Sequence, residues 1–228
     1  MLRGIVFDMD GVIIDSHPTH RKAWQEFLGT LGRTASEEDL DFILEGRKRQ
    51  DILRHFLGEM SSVELQEYGK RKNEFFQKIA EEVAPVSGLV EFLQDLEQCG
   101  MPAAVATSAS EHRTRFTLER LDLARYFQVV VTGDDVVEGK PNPAIYQLAA
   151  KRMNLRVEHL LALEDAPRGV EAATSAGIRC VGVADASKAK SLRQAGADHV
   201  ITDFTGLSVR ALEQVLAAQE ASASRSFT

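Results

Sequence analysis

Gly4-Ile5-Val6-Phe7-Asp8-Met9-Asp10-Gly11 is a short apolar run that breaks abruptly into two carboxylates and a glycine. A run apolar on both faces reads as a strand buried between two layers of helices. The same design recurs along the chain. Ala103-Ala104-Val105-Ala106 ends in Thr107-Ser108, and Phe127-Gln128-Val129-Val130-Val131 ends in Thr132-Gly133-Asp134-Asp135. Leu160-Leu161-Ala162-Leu163 ends in Glu164-Asp165, and further runs follow at 178–183 and 199–201. Between them lie stretches with helical spacing, such as Leu89/Phe92/Leu93/Leu96 and Leu207/Leu212/Val215/Leu216. Strand–helix alternation of this kind predicts an α/β fold with a doubly wound parallel sheet.

One segment breaks the alternation. Between about Pro18 and Ala84 the apolar residues recur every three to four positions, as in Trp24/Phe27/Leu28/Leu31, Ile52/Leu53/Phe56/Leu57 and Phe75/Phe76/Ile79. This predicts an α-helical insert directly after the first strand, with Pro85 and Gly88 marking the return to the sheet. Residues 1–15 and 85–220 then form the α/β core, and residues 16–84 the helical cap. The small, polar end of the chain predicts a disordered tail at 221–228. A lid in this place covers the carboxyl ends of the strands, where open α/β sheets bind ligands.

The 228 residues suffice for a real core without disulfides or structural metal. The formal charge of −7 argues against nucleic acid or an anionic membrane as the main partner. Cys99 and Cys180 belong to no CxxC pair, so a zinc site is not expected, and two isolated thiols suit a reducing cytoplasm. No apolar run approaches the roughly 20 residues of a transmembrane helix. The N-terminus turns acidic before a signal-peptide core could form. A monomer or weak homodimer is expected.

The strand ends carry the chemistry. Asp8 and Asp10, Thr107 and Ser108, Lys140 in Gly139-Lys140-Pro141, and Glu164-Asp165 would converge on one crevice. Carboxylates crowded together repel, and a divalent cation relieves them; oxygen-only donors point to Mg2+ rather than zinc. Each piece alone has an ordinary reading. Asp10-Gly11 is a turn signal, Asp165 before Pro167 a helix cap, Lys140-Pro141-Asn142-Pro143 a loop, and Thr107-Ser108 a cap. Four polar motifs at successive strand ends outweigh those readings. Two other motifs fail. The glycine of Asp8-Met9-Asp10-Gly11 comes too early for an EF-hand loop. Gly133 to Lys140 has the wrong glycine spacing for a Walker A loop, and Pro141 stands where Ser or Thr is needed.

On these residues the chain resembles the haloacid dehalogenase superfamily, in the branch with a helical cap after the first strand. Asp8-Met9-Asp10-Gly11-Val12 matches the DxDGV signature, and Thr107-Ser108, Lys140-Pro141 and Glu164-Asp165 match the remaining motifs in order. The resemblance implies an aspartyl-phosphate mechanism, with Asp8 as nucleophile and Asp10 as general acid and then base. It implies Mg2+ held by Asp8, the Asp10 carbonyl and Asp165, with Glu164 contributing directly or through water. Thr107 and the backbone near Ser108 and Ala109 would bind the phosphoryl group, and Lys140 would offset charge.

The cap should choose the substrate. His20, Trp24, Arg49 and Lys72 are its candidate residues, set among basic clusters at 47–49 and 70–72 that could equally be solvated helix faces. His20 with Trp24, Gly46 with Arg49, and Arg71-Lys72-Asn73 resemble the β-phosphoglucomutase-like group, whose bisphosphate intermediate needs a second anion clamp. The linker Asp15-Ser16-His17-Pro18-Thr19-His20 instead resembles sugar-phosphate phosphatases of that group. Ala166 replaces a common serine, and Glu111-His112 replaces a lysine and asparagine of the mutase. His17 and His20 are also possible metal ligands. The expected function is a Mg2+-dependent phosphatase of a small phosphorylated sugar or sugar-like metabolite. A mutase is the alternative, and a non-catalytic binding protein on the same fold is the distant one.

Overall fold

The computed structural model describes residues 2–225. Six strands form one parallel sheet: β1 (Gly4–Phe7), β4 (Ala103–Ala106), β5 (Phe127–Val131), β6 (Leu160–Glu164), β7 (Arg179–Val183) and β8 (His199–Ile201). Their order is β5-β4-β1-β6-β7-β8. The chain moves outward from β1 to β4 and β5, then returns to the other side of β1 for β6, β7 and β8. The order therefore reverses at β1, and a crevice opens at its carboxyl end. Alternation along β1 feeds two cores. Ile5 and Phe7 pack with α5 (Leu89–Gln98), α6 (Glu111–Arg120) and α10 (Val209–Arg225), whereas Val6 packs with α7 (Ala144–Met153), α8 (Pro167–Ser175) and α9 (Ala186–Gln194). The expected doubly wound α/β sheet is the one found.

A two-stranded antiparallel ribbon, β2 (Ile14–Asp15) with β3 (Ala84–Pro85), stands where the chain leaves and re-enters the sheet. Between its strands lie α1 (His17–Gly29), α2 (Glu37–Ile43), α3 (Arg49–Leu57) and α4 (Ser62–Lys78). These helices have their own core of Trp24, Phe27, Leu28, Leu40, Ile52, Leu53 and Phe56. Ser36 and Ser61 start α2 and α4 with reciprocal capping boxes to Asp39 and Glu64. The helices rest on the sheet through the loop before α3. Ser108 Oγ donates to the Gly46 carbonyl (2.7 Å), and Lys48 Nζ donates to the carbonyls of Val136 (2.7 Å) and Val137 (3.2 Å).

The tail expected at 221–228 begins inside α10, which runs to Arg225. Ala221, Ala223 and Arg225 are good helix formers, so polarity alone did not end the helix. The rest of that expected tail lies outside the described residues.

Candidate active site

The first β-strand delivers Asp8 and Asp10 to the reversal point. Gly11 turns the chain there with φ +78°, a conformation that disfavours side chains. A Cβ at Gly11 would also stand 2.4 Å from Asp165 Oδ2, so the loop could not lie this close to β6 with any other residue. Asp8, Thr107, Lys140, Glu164 and Asp165 are all buried at this point.

Lys140 holds the cluster together. Its ammonium donates to Asp8 Oδ1 (2.5 Å), Glu164 Oε1 (2.5 Å) and the Ala106 carbonyl (3.1 Å), which accounts for all its N–H groups. Burial would lower its pKa, but Asp8 and Glu164 raise it above the ordinary lysine range. Asp8 is pushed well up, by burial first and then by Glu164 and Asp165, with Lys140 opposing. Glu164 is saturated: besides Lys140 it accepts from Tyr146 Oη (2.7 Å) and the Asp165 N–H (3.1 Å).

The residues present fit a divalent cation. Asp8, Glu164 and Asp165 can place oxygens within 4.8 Å of one another. Asp165 Oδ2 is buried beside His17 Nε2 (2.9 Å) yet accepts no aligned hydrogen bond. An all-oxygen set with a buried oxygen to spare suits a hard ion such as Mg2+. Asp8 and Asp165 are the better placed ligands, because the partners of Glu164 already occupy its oxygens.

The residues expected to bind a phosphoryl group are partly committed to other contacts. Thr107 is buried at the end of β4 and its Oγ1 accepts the Ala109 N–H (3.1 Å). The Ser108 hydroxyl serves the contact to Gly46. Among the cap residues, Trp24 is mainly core, packed on Phe27 and Phe56, although it also lines the cleft. Arg49 crosses α4 at Gly69, where a Cβ would meet its Nε at 2.5 Å, and that Nε has no partner. His20, Arg49 and Lys72 line the same cleft as Asp8, Asp10 and Asp165.

Asp10 turns toward the cap. Ser16 Oγ donates to its Oδ1 (2.6 Å), His20 Nε2 lies 3.1 Å away, and Arg113 grips both oxygens. Burial would raise its pKa, but Arg113 and His20 hold it well below the carboxylate range. Arg113 is not among the residues that the sequence motifs single out. A signal existed, since Arg113, Thr114, Thr117 and Leu118 share the buried face of α6. Helical spacing could thus have placed an arginine inside, although not against Asp10.

Lys72 Nζ contacts His20 Nδ1 at 3.0 Å, which fits a neutral ring that accepts there and faces Asp10 with Nε2–H. Burial and Lys72 push His20 from 6.5 down to about 3. The unfolded chain therefore takes up this proton first, so the stability is present above about pH 6.5 and lost as pH falls towards 3. The melting temperature should fall across that window, with this ring contributing up to about 1.4 kcal/mol per pH unit. His20→Gln should flatten the slope; an unaltered slope would contradict the neutral, buried ring.

The haloacid dehalogenase-like hydrolase family matches residues 5–183, and the chain belongs to that family. It is 36% identical over 202 residues to a phosphorylated carbohydrates phosphatase of Thermotoga maritima, covering 86% of this chain and 92% of that one. It is 32% identical over 182 residues to a fructose-1-phosphate phosphatase of Escherichia coli, covering 79% and 95%. Its fold is similar to that of CbbY from Rhodobacter sphaeroides in complex with phosphate, with TM-score 0.81, 27% identity, and 93% and 100% of the two chains covered. Among the described residues no helix is long and apolar enough to cross a membrane.

Proposed function

We propose that the protein is a Mg2+-dependent phosphatase of small phosphorylated sugars or sugar-like metabolites, working through an aspartyl-phosphate on Asp8. The observation that carries this reading is the buried Asp8–Lys140–Glu164 cluster beside Asp165, opening into a cleft roofed by the cap helices. Similarity to phosphatases of phosphorylated carbohydrates and of fructose 1-phosphate supports the substrate class. Free Cys99 and Cys180 agree with work in a reducing cytoplasm.

An Asp8 oxygen attacks phosphorus as the ester oxygen departs; Asp10, ionised under Arg113 and His20 in this arrangement, must leave that grip and take up a proton before it protonates the departing oxygen. Water then attacks phosphorus, the bond to the Asp8 oxygen breaks to free phosphate, and the Asp10 carboxylate takes the water's proton. Lys140 keeps the Asp8 carboxylate aimed and offsets phosphoryl charge; Thr107 stands on the phosphoryl side. Asp8 and Asp165, with the Asp10 carbonyl, would hold Mg2+, which when bound neutralises the phosphoryl and carboxylate charge.

A mutase is the second reading, favoured by one feature. Arg49, Lys72 and Arg113 line the same cleft, where a second phosphate could be held. ³¹P NMR separates the two, using fructose 1-phosphate, glucose 6-phosphate, and β-glucose 1-phosphate primed with a trace of glucose 1,6-bisphosphate. Free phosphate that disappears with EDTA and returns with Mg2+ is the expected result. Glucose 6-phosphate formed from β-glucose 1-phosphate without free phosphate would establish the mutase instead. Full turnover in chelator would overturn the metal, and no turnover of any of the three would overturn the sugar-phosphate class.

A further inference from the structure

Two lysines are buried near the strand ends, in opposite surroundings. Lys140 is clasped by two carboxylates, whereas Lys72 forms no ion pair among the described residues. Lys72 is 3% exposed and lines the cap side of the cleft. Leu65, Gly69, Lys72 and Phe76 share the buried face of α4, so this lysine does not belong to a solvated helix face. Its Nζ meets one polar side chain, at His20 Nδ1 (3.0 Å). Aromatic rings cover much of the rest, with Nζ 5.2 Å from the centre of Trp24 and 5.3 Å from that of Phe76. The Asp10 carboxylate is taken up by Arg113, Ser16 and His20. Arg49 and Arg113 line the same cleft and add positive charge.

A lysine buried without a carboxylate and set among guanidinium groups favours the free amine, which is a nucleophile. Burial first, then Arg113 and Arg49, hold Lys72 well below the ordinary lysine range, against the charge of Asp10. The aromatic faces favour the ammonium but do not replace its lost water. Lys140 shows the contrast: Asp8 and Glu164 raise it, so it stays an ammonium with no lone pair to offer. The free amine of Lys72 can donate one N–H to His20 Nδ1 and keep its lone pair. A phosphorylated sugar carries the matching electrophile, because its open-chain form has a free aldehyde or ketone.

We propose that Lys72 captures the carbonyl of an open-chain phosphorylated aldose or ketose as an imine, holding the sugar at the cap while its phosphate faces Asp8. This rests on the cleft taking phosphorylated sugars. Nζ bonds to the carbonyl carbon, and one N–H proton passes to the carbonyl oxygen, which gives a carbinolamine. Its hydroxyl leaves as water with the second N–H proton, and a C=N bond remains. Water reverses both steps. Nothing is oxidised or reduced, and the phosphate ester stays intact. A polyol phosphate has no carbonyl and forms no such bond.

The test traps the imine. The full chain, in EDTA at about pH 7, is incubated with glyceraldehyde 3-phosphate and cyanoborohydride, which reduces C=N to a stable amine. Mass spectrometry of the peptides then locates the mark. An ordinary lysine is a free amine only about once in 2,500 at that pH, so Lys72 should be marked at least about 100-fold faster than a surface lysine, and Lys140 not at all. Glyceraldehyde without phosphate should mark Lys72 at least about 10-fold more slowly, since it lacks the group that places it. Excess sorbitol 6-phosphate should slow the marking. The mapping needs no variant, and Lys72→Met should lose the fast mark while surface marking continues. Marking of Lys72 no faster than of surface lysines would overturn the proposal. Equal marking by glyceraldehyde and its phosphate would overturn it too, leaving a reactive amine without a sugar-phosphate role. If sorbitol 6-phosphate raises the melting temperature while Lys72 stays unmarked, the imine fails and the sugar-phosphate reading stands. If none of sorbitol 6-phosphate, fructose 1-phosphate and glucose 6-phosphate raises it and Lys72 stays unmarked, that reading fails with the proposal.

Discussion

Lys140→Met should cost both the fold and the chemistry. Lys140 is 1% exposed and is the cation between Asp8 and Glu164. Methionine fills much of its volume but leaves two buried carboxyls facing each other. Breaking a buried ion pair by removing one partner costs about 3–5 kcal/mol, which for a chain of this size lowers the melting temperature by about 10 °C. The loss should depend on pH. Asp8 and Glu164 are already raised, and without Lys140 they rise further above their unfolded values. Groups raised in this way contribute stability below the unfolded pKa and lose it as pH rises through the folded one. The deficit should therefore be larger near about pH 8 than near about pH 5. Mg2+ should restore more of the melting temperature to the variant than it adds to the parent chain. Turnover should fall by about 10³-fold, the scale of a lost electrostatic contact to the reacting group. A melting temperature within a degree or two of the parent at both pH values would contradict the ion-pair account.

Asp8→Asn should remove turnover and keep the fold. The amide is nearly isosteric, and its oxygen can still accept from Lys140, which also retains Glu164 and the Ala106 carbonyl. The substitution takes one negative charge from a buried group of three carboxylates. Melting temperature without metal should hold steady or rise slightly. The amide cannot serve as the nucleophile, so kcat should drop by about 10⁵-fold or more, as it does when a covalent nucleophile is removed elsewhere. Thermal melts with increasing Mg2+ should show weaker stabilisation than in the parent. Appreciable turnover by a folded Asp8→Asn protein would sink the mechanism.

The α/β sheet and the helical insert were legible because both rest on periodicity. Ile5, Val6 and Phe7 are apolar on both faces, and Trp24, Phe27 and Leu28 recur at helical spacing, so each segment declares its own surroundings. The strand-end motifs were legible for a related reason, since polar residues that end buried strands of a parallel sheet converge at one edge. Contacts between distant segments were not. Arg113 and Asp10 are separated by 103 positions, and periodicity says that Arg113 is buried without saying what it meets. His17 could be weighed as a metal ligand, but its place beside Asp165 follows from how α1 leaves the ribbon. Tyr146 reads as one more apolar position of α7, yet its hydroxyl is what completes the shell of Glu164. At Ser108 the sequence points to the backbone as the phosphoryl donor and is silent on the hydroxyl, which donates to the Gly46 carbonyl 62 positions away.

The central claim is that phosphorus is transferred to Asp8. The direct measurement is rapid quenching of the protein during turnover of a hexose phosphate, reduction of any acyl phosphate with borohydride, and mass spectrometry of the peptide carrying Asp8. The expected result is the reduced side chain at Asp8, dependent on substrate and Mg2+ and absent from Asp8→Asn. Steady turnover with an unmodified Asp8, or with the mark on another residue, would contradict it.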